Sequence, residues 1–135
     1  MRVTMLVRST TGLEAAMRAR TVRQRARVKA ATVRSLDRVF TRAQESTPRD
    51  THYMALHMRA ELTREGYDFA VGFRSSDFVG QTNPATGQVI TAFYPVFVIK
   101  GTRFMAGRDF LSAALRAERV NIRRGYARAL SDRAS

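Results

Sequence analysis

The longest stretch without a helix-breaking residue runs from residue 13 to residue 45, where the chain has neither glycine nor proline. Its composition favours helix throughout, so the sequence predicts one continuous helix from Leu13 to about Glu45. Thr11 and Glu14 stand at the spacing of a capping box and predict where this helix begins. Pro48 ends it, because proline cannot continue a helix. This helix is the largest element that the sequence predicts.

The predicted helix has two different faces. Apolar residues recur at three- and four-residue steps and predict one buried stripe, formed by Val22, Ala26, Val33, Leu36, Phe40 and Ala43. Arginines fall together on roughly the opposite face, namely Arg20, Arg23, Arg27, Arg34 and Arg38. A solvated face usually mixes both signs of charge, whereas nine basic and three acidic residues lie between Gly12 and Glu45. This excess favours a surface that faces DNA over an ordinary solvated face, and the helix is also a candidate for packing against a neighbouring subunit.

Two segments of alternating polarity predict an antiparallel β-hairpin. Apolar and polar residues alternate over residues 56–62 and again over residues 67–74. The four residues between them, Thr63 to Gly66, are typical of a turn with glycine at its end. Residues 1–8 alternate more loosely and are compatible with a short strand.

The region from residue 75 to residue 99 allows more than one structure. Residues 75–90 are polar with a strong turn at residues 83–87, so they form either a second, protruding hairpin or one long loop. β-propensity makes residues 93–99 a strand. Pro95 restricts that segment to an edge strand or to a short helix that begins near the proline.

A second helix is predicted at the C-terminal end. Gly101 ends the preceding element and Asp109 caps the new helix. Its apolar residues predict a buried stripe of Leu111, Leu115, Ile122, Tyr126 and Ala129. Three arginines are expected on an adjacent face, Arg116, Arg119 and Arg123. We therefore predict an α+β fold with a long N-terminal helix and a C-terminal helix packed on a small antiparallel sheet.

Length and composition limit the functional classes. A chain of 135 residues predicts a single domain over residues 1–135, with residues 1–12 and 131–135 flexible or peripheral. No window holds about eighteen successive apolar residues, so no membrane contact is expected. The net charge of +13 favours a polyanionic partner, although only Lys29 and Lys100 are lysines and the arginine bias is also typical of a GC-rich genome.

The sequence lacks the residue patterns of common catalytic and metal sites. Cysteine is absent, which excludes thiolate chemistry and disulfides. His52 and His57 lie on different predicted elements, and the acidic residues are scattered. Neither a nucleophile elbow nor a glycine-rich phosphate loop occurs. We therefore expect a non-enzymatic protein without cofactor or metal.

Three separated segments resemble one family. The first is Thr47-Pro48-Arg49-Asp50-Thr51, and the second places Tyr94 and Val98 before Gly101-Thr102-Arg103. The third places Arg108 before Phe110-Leu111. Their order and spacing resemble those of the tail-completion proteins, which are head–tail joining or neck components of long-tailed phages and gene transfer agents. The chain differs from the family pattern at His52, at Ile99-Lys100 and at Asp109.

The resemblance implies both a fold detail and a function. It implies that residues 94–100 are helical, against their strand propensity. It also implies a structural subunit that forms a ring, typically a hexamer, between the head connector or stopper and the tail terminator or tail tube, with DNA passing through the lumen. Such a ring would belong to the neck or tail of a virion or phage-like particle assembled in the bacterial cytoplasm. The alternatives are the tail terminator or stopper of the same neck, and a free, non-sequence-specific nucleic-acid-binding protein.

Overall fold

The fold is mixed α+β, as the sequence predicts. The structure, a computed structural model, describes residues 4–47, 53–84, 86–103 and 105–131. Over these residues the strands are β1 (Thr4–Arg8), β2 (Arg59–Thr63), β3 (Asp68–Arg74), β4 (Gly101–Thr102) and β5 (Met105–Ala106). The helices are α1 (Leu13–Met17), α2 (Val22–Ser46), α3 (Tyr53–Leu56), α4 (Pro95–Lys100), α5 (Phe110–Ala117) and α6 (Arg119–Ser131).

The predicted hairpin supplies two strands of a three-stranded antiparallel sheet, and its second strand, β3, is the central one. The strand order is β1-β3-β2, with Leu62 opposite Phe69 in the hairpin and Val7 opposite Val71 on the other side. Phe69, Val71 and Phe73 project from one face of β3 into the main core and are fully buried. Part of the N-terminal segment that was expected to be flexible or peripheral therefore forms an edge strand of this sheet.

The start of the hairpin differs from the prediction. Strand β2 begins at Arg59, because Tyr53–Leu56 forms a single turn of helix. Leu56, which was predicted to face the core from a strand, is 73% exposed. Tyr53, Met54 and Ala55 of this turn are buried, and so is Met58, which the alternation also placed toward the core.

The prediction of one continuous helix from residue 13 to residue 45 is wrong. Helix α1 ends at Met17, and Thr21 caps a new helix in a capping box with Gln24. The Gln24 N–H donates to Thr21 Oγ1 at 3.2 Å. The capping box predicted at Thr11 does not form, because its hydroxyl bonds to Asp68 Oδ1 at 3.0 Å.

The predicted apolar stripe of α2 is only partly correct. Val22 is 76% exposed, Val33 is 42% exposed and Ala26 is exposed, whereas Leu36 and Ala43 are buried as expected. The observed buried stripe comprises Val28, Ala31, Thr32, Ser35, Leu36, Val39 and Ala43. Thr32 and Ser35 can be buried because their hydroxyls donate to carbonyls one turn earlier, at 3.1 and 2.9 Å.

The segment after the central strand folds as a hairpin and then a helix. Gly80 and Ile90 are joined by an N–H···O=C bond of 2.8 Å, and the Asn83 N–H donates to the Gln88 carbonyl at 2.9 Å. The hairpin alternative is therefore correct for residues 80–90, which pair around one β-bridge between Thr82 and Val89, whereas residues 75–77 form a 3-10 turn. Residues 95–100 are helical with Pro95 in the first turn, so the strand predicted from propensity over residues 93–99 is wrong.

The C-terminal helix is seated as predicted but bends at Glu118, between α5 and α6. The Asp109 carboxylate accepts from the Ser112 N–H at 3.0 Å and caps α5. Phe110 and Leu111 are buried, and the Phe110 ring lies edge-on to Phe73 with centroids 6.0 Å apart. A second apolar cluster, which adjoins the main core at Ile122, contains Met17, Val28, Ala31, Tyr67, Tyr126 and Ala129.

Candidate nucleic-acid interface

The helix α2 carries four of the five arginines predicted to face DNA. Arg23, Arg27, Arg34 and Arg38 share one face at 3.6 residues per turn. Arg20 lies in the bend before the Thr21 cap, so its placement on the helix face was wrong. Helix α2 holds seven basic and two acidic residues, and α6 holds four arginines and no acidic residue.

The two basic helices meet at a polar cleft of about 270 Å³, which we call the arginine cleft. Its lining residues are Ala31, Arg34, Ser35 and Arg38 from α2 with Asn121, Arg124, Gly125 and Arg128 from α6. The four arginines form two pairs spaced i, i+4. Like charges at that spacing destabilise a helix by about 0.2–0.5 kcal/mol per pair.

A buried hydroxyl pair holds α6 against α2 beside this cleft. Tyr126 Oη lies 2.7 Å from Thr32 Oγ1 and 3.4 Å from the Tyr67 carbonyl oxygen. Burial raises the pKa of Tyr126, while its hydrogen bond to Thr32 acts in the opposite direction. The phenol therefore stays neutral and donates a hydrogen bond at physiological pH. This contact connects both helices to the end of the central hairpin.

The carboxylate of Glu118 lines a neighbouring cleft together with Arg38 and is already engaged. Glu118 accepts from Asn121 Nδ2 at 2.8 Å and pairs with Arg42, whose Nη2 lies 2.9 Å away. The Asn121 hydrogen bond, followed by Arg42, lowers the pKa of Glu118 against the opposing effect of burial. Glu118 therefore remains ionised, with Asn121 and Arg42 as its hydrogen-bonded partners and a weaker attraction from Arg38.

Four of the eight other acidic side chains in the described part of the chain pair with arginines away from the cleft. These ion pairs are Arg18–Glu14, Arg59–Asp77, Arg64–Asp68 and Arg74–Glu61. Within the described ranges, no carboxylate oxygen lies within 4.0 Å of the guanidinium groups that line the arginine cleft. The cleft is therefore a concentration of positive charge, which Glu118 offsets in part through its longer-range attraction to Arg38.

A second cleft, of about 570 Å³, is more apolar. It lies between the β1–α1 connection and the C-terminal helices, with Leu13, Leu115 and Ile122 among its walls. Arg8, Arg119 and Arg123 also line it. Arg119 and Arg123, which were predicted on the adjacent face of the last helix, therefore line this second cleft and do not line the arginine cleft.

The residues that carry the family resemblance serve as scaffold where the structure describes them. Pro48, Asp50 and Thr51 lie outside the described residues. The Tyr94 ring lies edge-on to Phe78, with centroids 5.2 Å apart, and its carbonyl oxygen accepts from the Val98 N–H at 3.2 Å.

The glycine of the resemblance ends α4 and turns the chain. Gly101 has a φ of 84°, a left-handed conformation that glycine adopts without steric cost. Thr102 and Arg103 follow it on the surface, whereas Phe110 and Leu111 lie in the core. The segment from Gly101 to Leu111 therefore begins with an exposed turn and ends with two side chains that anchor it in the core.

Arg124 and Arg128 were not singled out from the sequence as partners of the α2 arginines. The available signal was the absence of acidic residues from the last helix, but only the packing of α6 on α2 aligns the two sets. His57 lies in a turn with its ring stacked on Tyr53 at 3.9 Å, so its predicted position on a strand was wrong.

Searches of the described residues for a metal site and for a membrane-spanning helix, and of the whole chain for similar proteins, found none. No cluster of three or more His, Asp or Glu side chains suited to a metal ion occurs among them. None of the helices they form has the length and apolarity needed to span a membrane. Comparison of the chain with protein-family models, curated proteins and solved structures found no match.

Proposed function

We propose that this protein is a structural subunit of a phage-like head–tail connection, in which subunits form a ring and the α2–α6 arginine surface faces the DNA that passes through. The observation that carries the proposal is the convergence of Arg34, Arg38, Arg124 and Arg128 at a cleft that no carboxylate lines. A DNA conduit needs diffuse positive charge and no base readout, because backbone contacts carry no sequence information.

Features outside the cleft are consistent with assembly into a ring. Val22, Ala26 and Val33 lie exposed on one side of α2, where a neighbouring subunit can cover them. The hairpin of residues 78–90 exposes Val79 and Val89. The helix over residues 95–100 agrees with the helicity that the family resemblance implies for residues 94–100.

Ring formation is tested on the purified chain by size-exclusion chromatography with light scattering and by negative-stain imaging. Closed rings, alone or with duplex DNA present, are the expected result. A monomer at every protein concentration, with and without DNA, contradicts the ring proposal. Incorporation into tails in a complementation assay then distinguishes a neck subunit from an unrelated ring.

The orientation of the arginine surface is tested with matched double variants. The affinity for duplex DNA falls as salt rises. The double variant Arg23→Gln with Arg34→Gln should make this dependence shallower, reducing the magnitude of the slope of log affinity against log salt by about 0.9 for each phosphate that it no longer neutralises. Arg116→Gln with Arg119→Gln removes the same charge from other surfaces and should change that slope much less. Equal slopes for the two double variants would contradict the assignment of α2.

The second candidate is a free, non-sequence-specific nucleic-acid-binding protein. The same arginine convergence favours it, since electrostatic binding to phosphates requires no ring. A monomer that binds duplex DNA with a steep salt dependence, and that never enters tails, would support this candidate over the first.

A further inference from the structure

We propose that the arginine cleft is a discrete phosphate-binding site that takes one backbone phosphate of the bound nucleic acid. The inference rests on the proposed function and deepens it by distinguishing a built site from a generally basic surface. The proposal therefore predicts that a small phosphate compound binds in the cleft even when no nucleic acid is present.

The cleft has the charge and the size for a single phosphate group. Two arginines reach it from each helix, and guanidinium groups match phosphate oxygens with paired N–H donors. Asn121 uses one amide hydrogen on Glu118, which leaves the second hydrogen of this lining side chain available. At about 270 Å³ the cleft has room for a phosphate group.

Gly125 supplies an independent observation at the cleft wall. It lies within α6, where glycine disfavours helix relative to alanine. A Cβ placed on it would meet no heavy atom within 4 Å, so packing inside the protein does not require the glycine. Its missing side chain instead keeps open the wall between Arg124 and Arg128, where an anion can approach the helix closely.

Walls of one charge sign focus the field in a cleft, so an anion gains more there than on the open surface. The arginine cleft also has no carboxylate lining to compete for its guanidinium groups. An occupying phosphate would bridge α2 and α6 and relieve the repulsion among the four arginines. Phosphate binding should therefore stabilise the folded protein.

Thermal unfolding with pyrophosphate is the direct test. At about ten times its Kd, pyrophosphate should raise Tm by about 3–5 °C. Arg124→Gln with Arg128→Gln should weaken pyrophosphate binding at least about tenfold and abolish most of this shift. The Arg116→Gln, Arg119→Gln control should keep it. No shift, or equal shifts in the two double variants, would overturn the site, as would equal protection by acetate.

Gly125→Ala gives a readout that a folding defect cannot imitate. The substitution should raise the Tm of the free protein by about 2–4 °C, because alanine is the better helix former. It should nevertheless reduce the pyrophosphate shift by narrowing the cleft. Ala127→Gly, an exposed position of the same helix, should lower Tm and leave the pyrophosphate shift intact. A full shift in Gly125→Ala would contradict the role of the open wall.

The two proposals fail in different experiments. Pyrophosphate protection together with weaker duplex binding by the Arg124→Gln, Arg128→Gln variant supports a backbone phosphate in the cleft. Pyrophosphate protection with unchanged duplex binding overturns that assignment and indicates a free phosphate compound. The ring proposal fails separately, through imaging and tail incorporation.

Discussion

The hydrogen bond between Tyr126 and Thr32 should show measurable coupling in a double-mutant cycle. Its oxygen atoms are 2.7 Å apart, Thr32 is fully buried and Tyr126 is 7% exposed. In Tyr126→Phe, Thr32 still donates to the Val28 carbonyl at 3.1 Å, so the variant should lose only about 1 kcal/mol. In Thr32→Val, Tyr126 keeps only the Tyr67 carbonyl at 3.4 Å, and the loss should approach about 1–3 kcal/mol.

The double variant should lose less than the sum of the single losses, by about 0.5–1.5 kcal/mol. Urea unfolding followed by far-ultraviolet circular dichroism measures each free energy, since the chain has no tryptophan. Ser35→Ala is the matched control, because its hydroxyl bonds only within α2, to the Ala31 carbonyl. If the loss of the double variant equals the sum of the Tyr126→Phe and Thr32→Val losses to within about 0.3 kcal/mol, the direct bond is refuted.

Three further predictions concern other parts of the fold. Phe110→Ala should lower the free energy of unfolding by about 3–5 kcal/mol, because this buried ring anchors α5; a loss below about 1 kcal/mol would contradict that role. Thr21→Ala should lose about 1 kcal/mol with the α2 cap, and an unchanged Tm would show that the cap contributes nothing. Since hydrogen bonds from Asn121 and Arg42 lower the pKa of Glu118, its contribution is present above its ordinary pKa of 4.5 and is lost as pH falls through the lower folded value. The stability gap between wild type and Glu118→Gln should therefore shrink from about pH 6 to about pH 3, and a constant gap would contradict the pKa shift.

The elements predicted best from the sequence are those whose signal is local. The β2–β3 hairpin follows from its alternation and turn, and the Asp109 cap follows from its position before Phe110. The break at Thr21 was also encoded locally, since Thr21 and Gln24 have capping-box spacing. It was missed because only glycine and proline were treated as signs of a break.

Tertiary packing decided the remaining elements. Thr32 and Ser35 are polar residues, but hydrogen bonds from their hydroxyls to backbone carbonyls allow them to lie in the buried stripe of α2. Val22 and Val33, which were predicted to be buried, are exposed. The arginine cleft depends on which side of α6 meets α2, a relation between distant segments that periodicity within either helix does not contain. Four of the five predicted arginines lie on α2, but only Arg34 and Arg38 line the cleft, and Arg124 and Arg128 become their neighbours only through the fold.

The order of the strands also bears on how the chain folds. The β2–β3 hairpin is local, whereas β1 reaches β3 only by closing a long loop, with Thr4 opposite Arg74. Loop-closure entropy delays such pairing, so the hairpin and α2 should form first and β1 should dock last. Until then the open edge of β3 exposes unpaired N–H and C=O groups that a strand from another copy can occupy. The arrival of the N-terminal strand should therefore cover this edge and protect the folding chain from pairing with another copy.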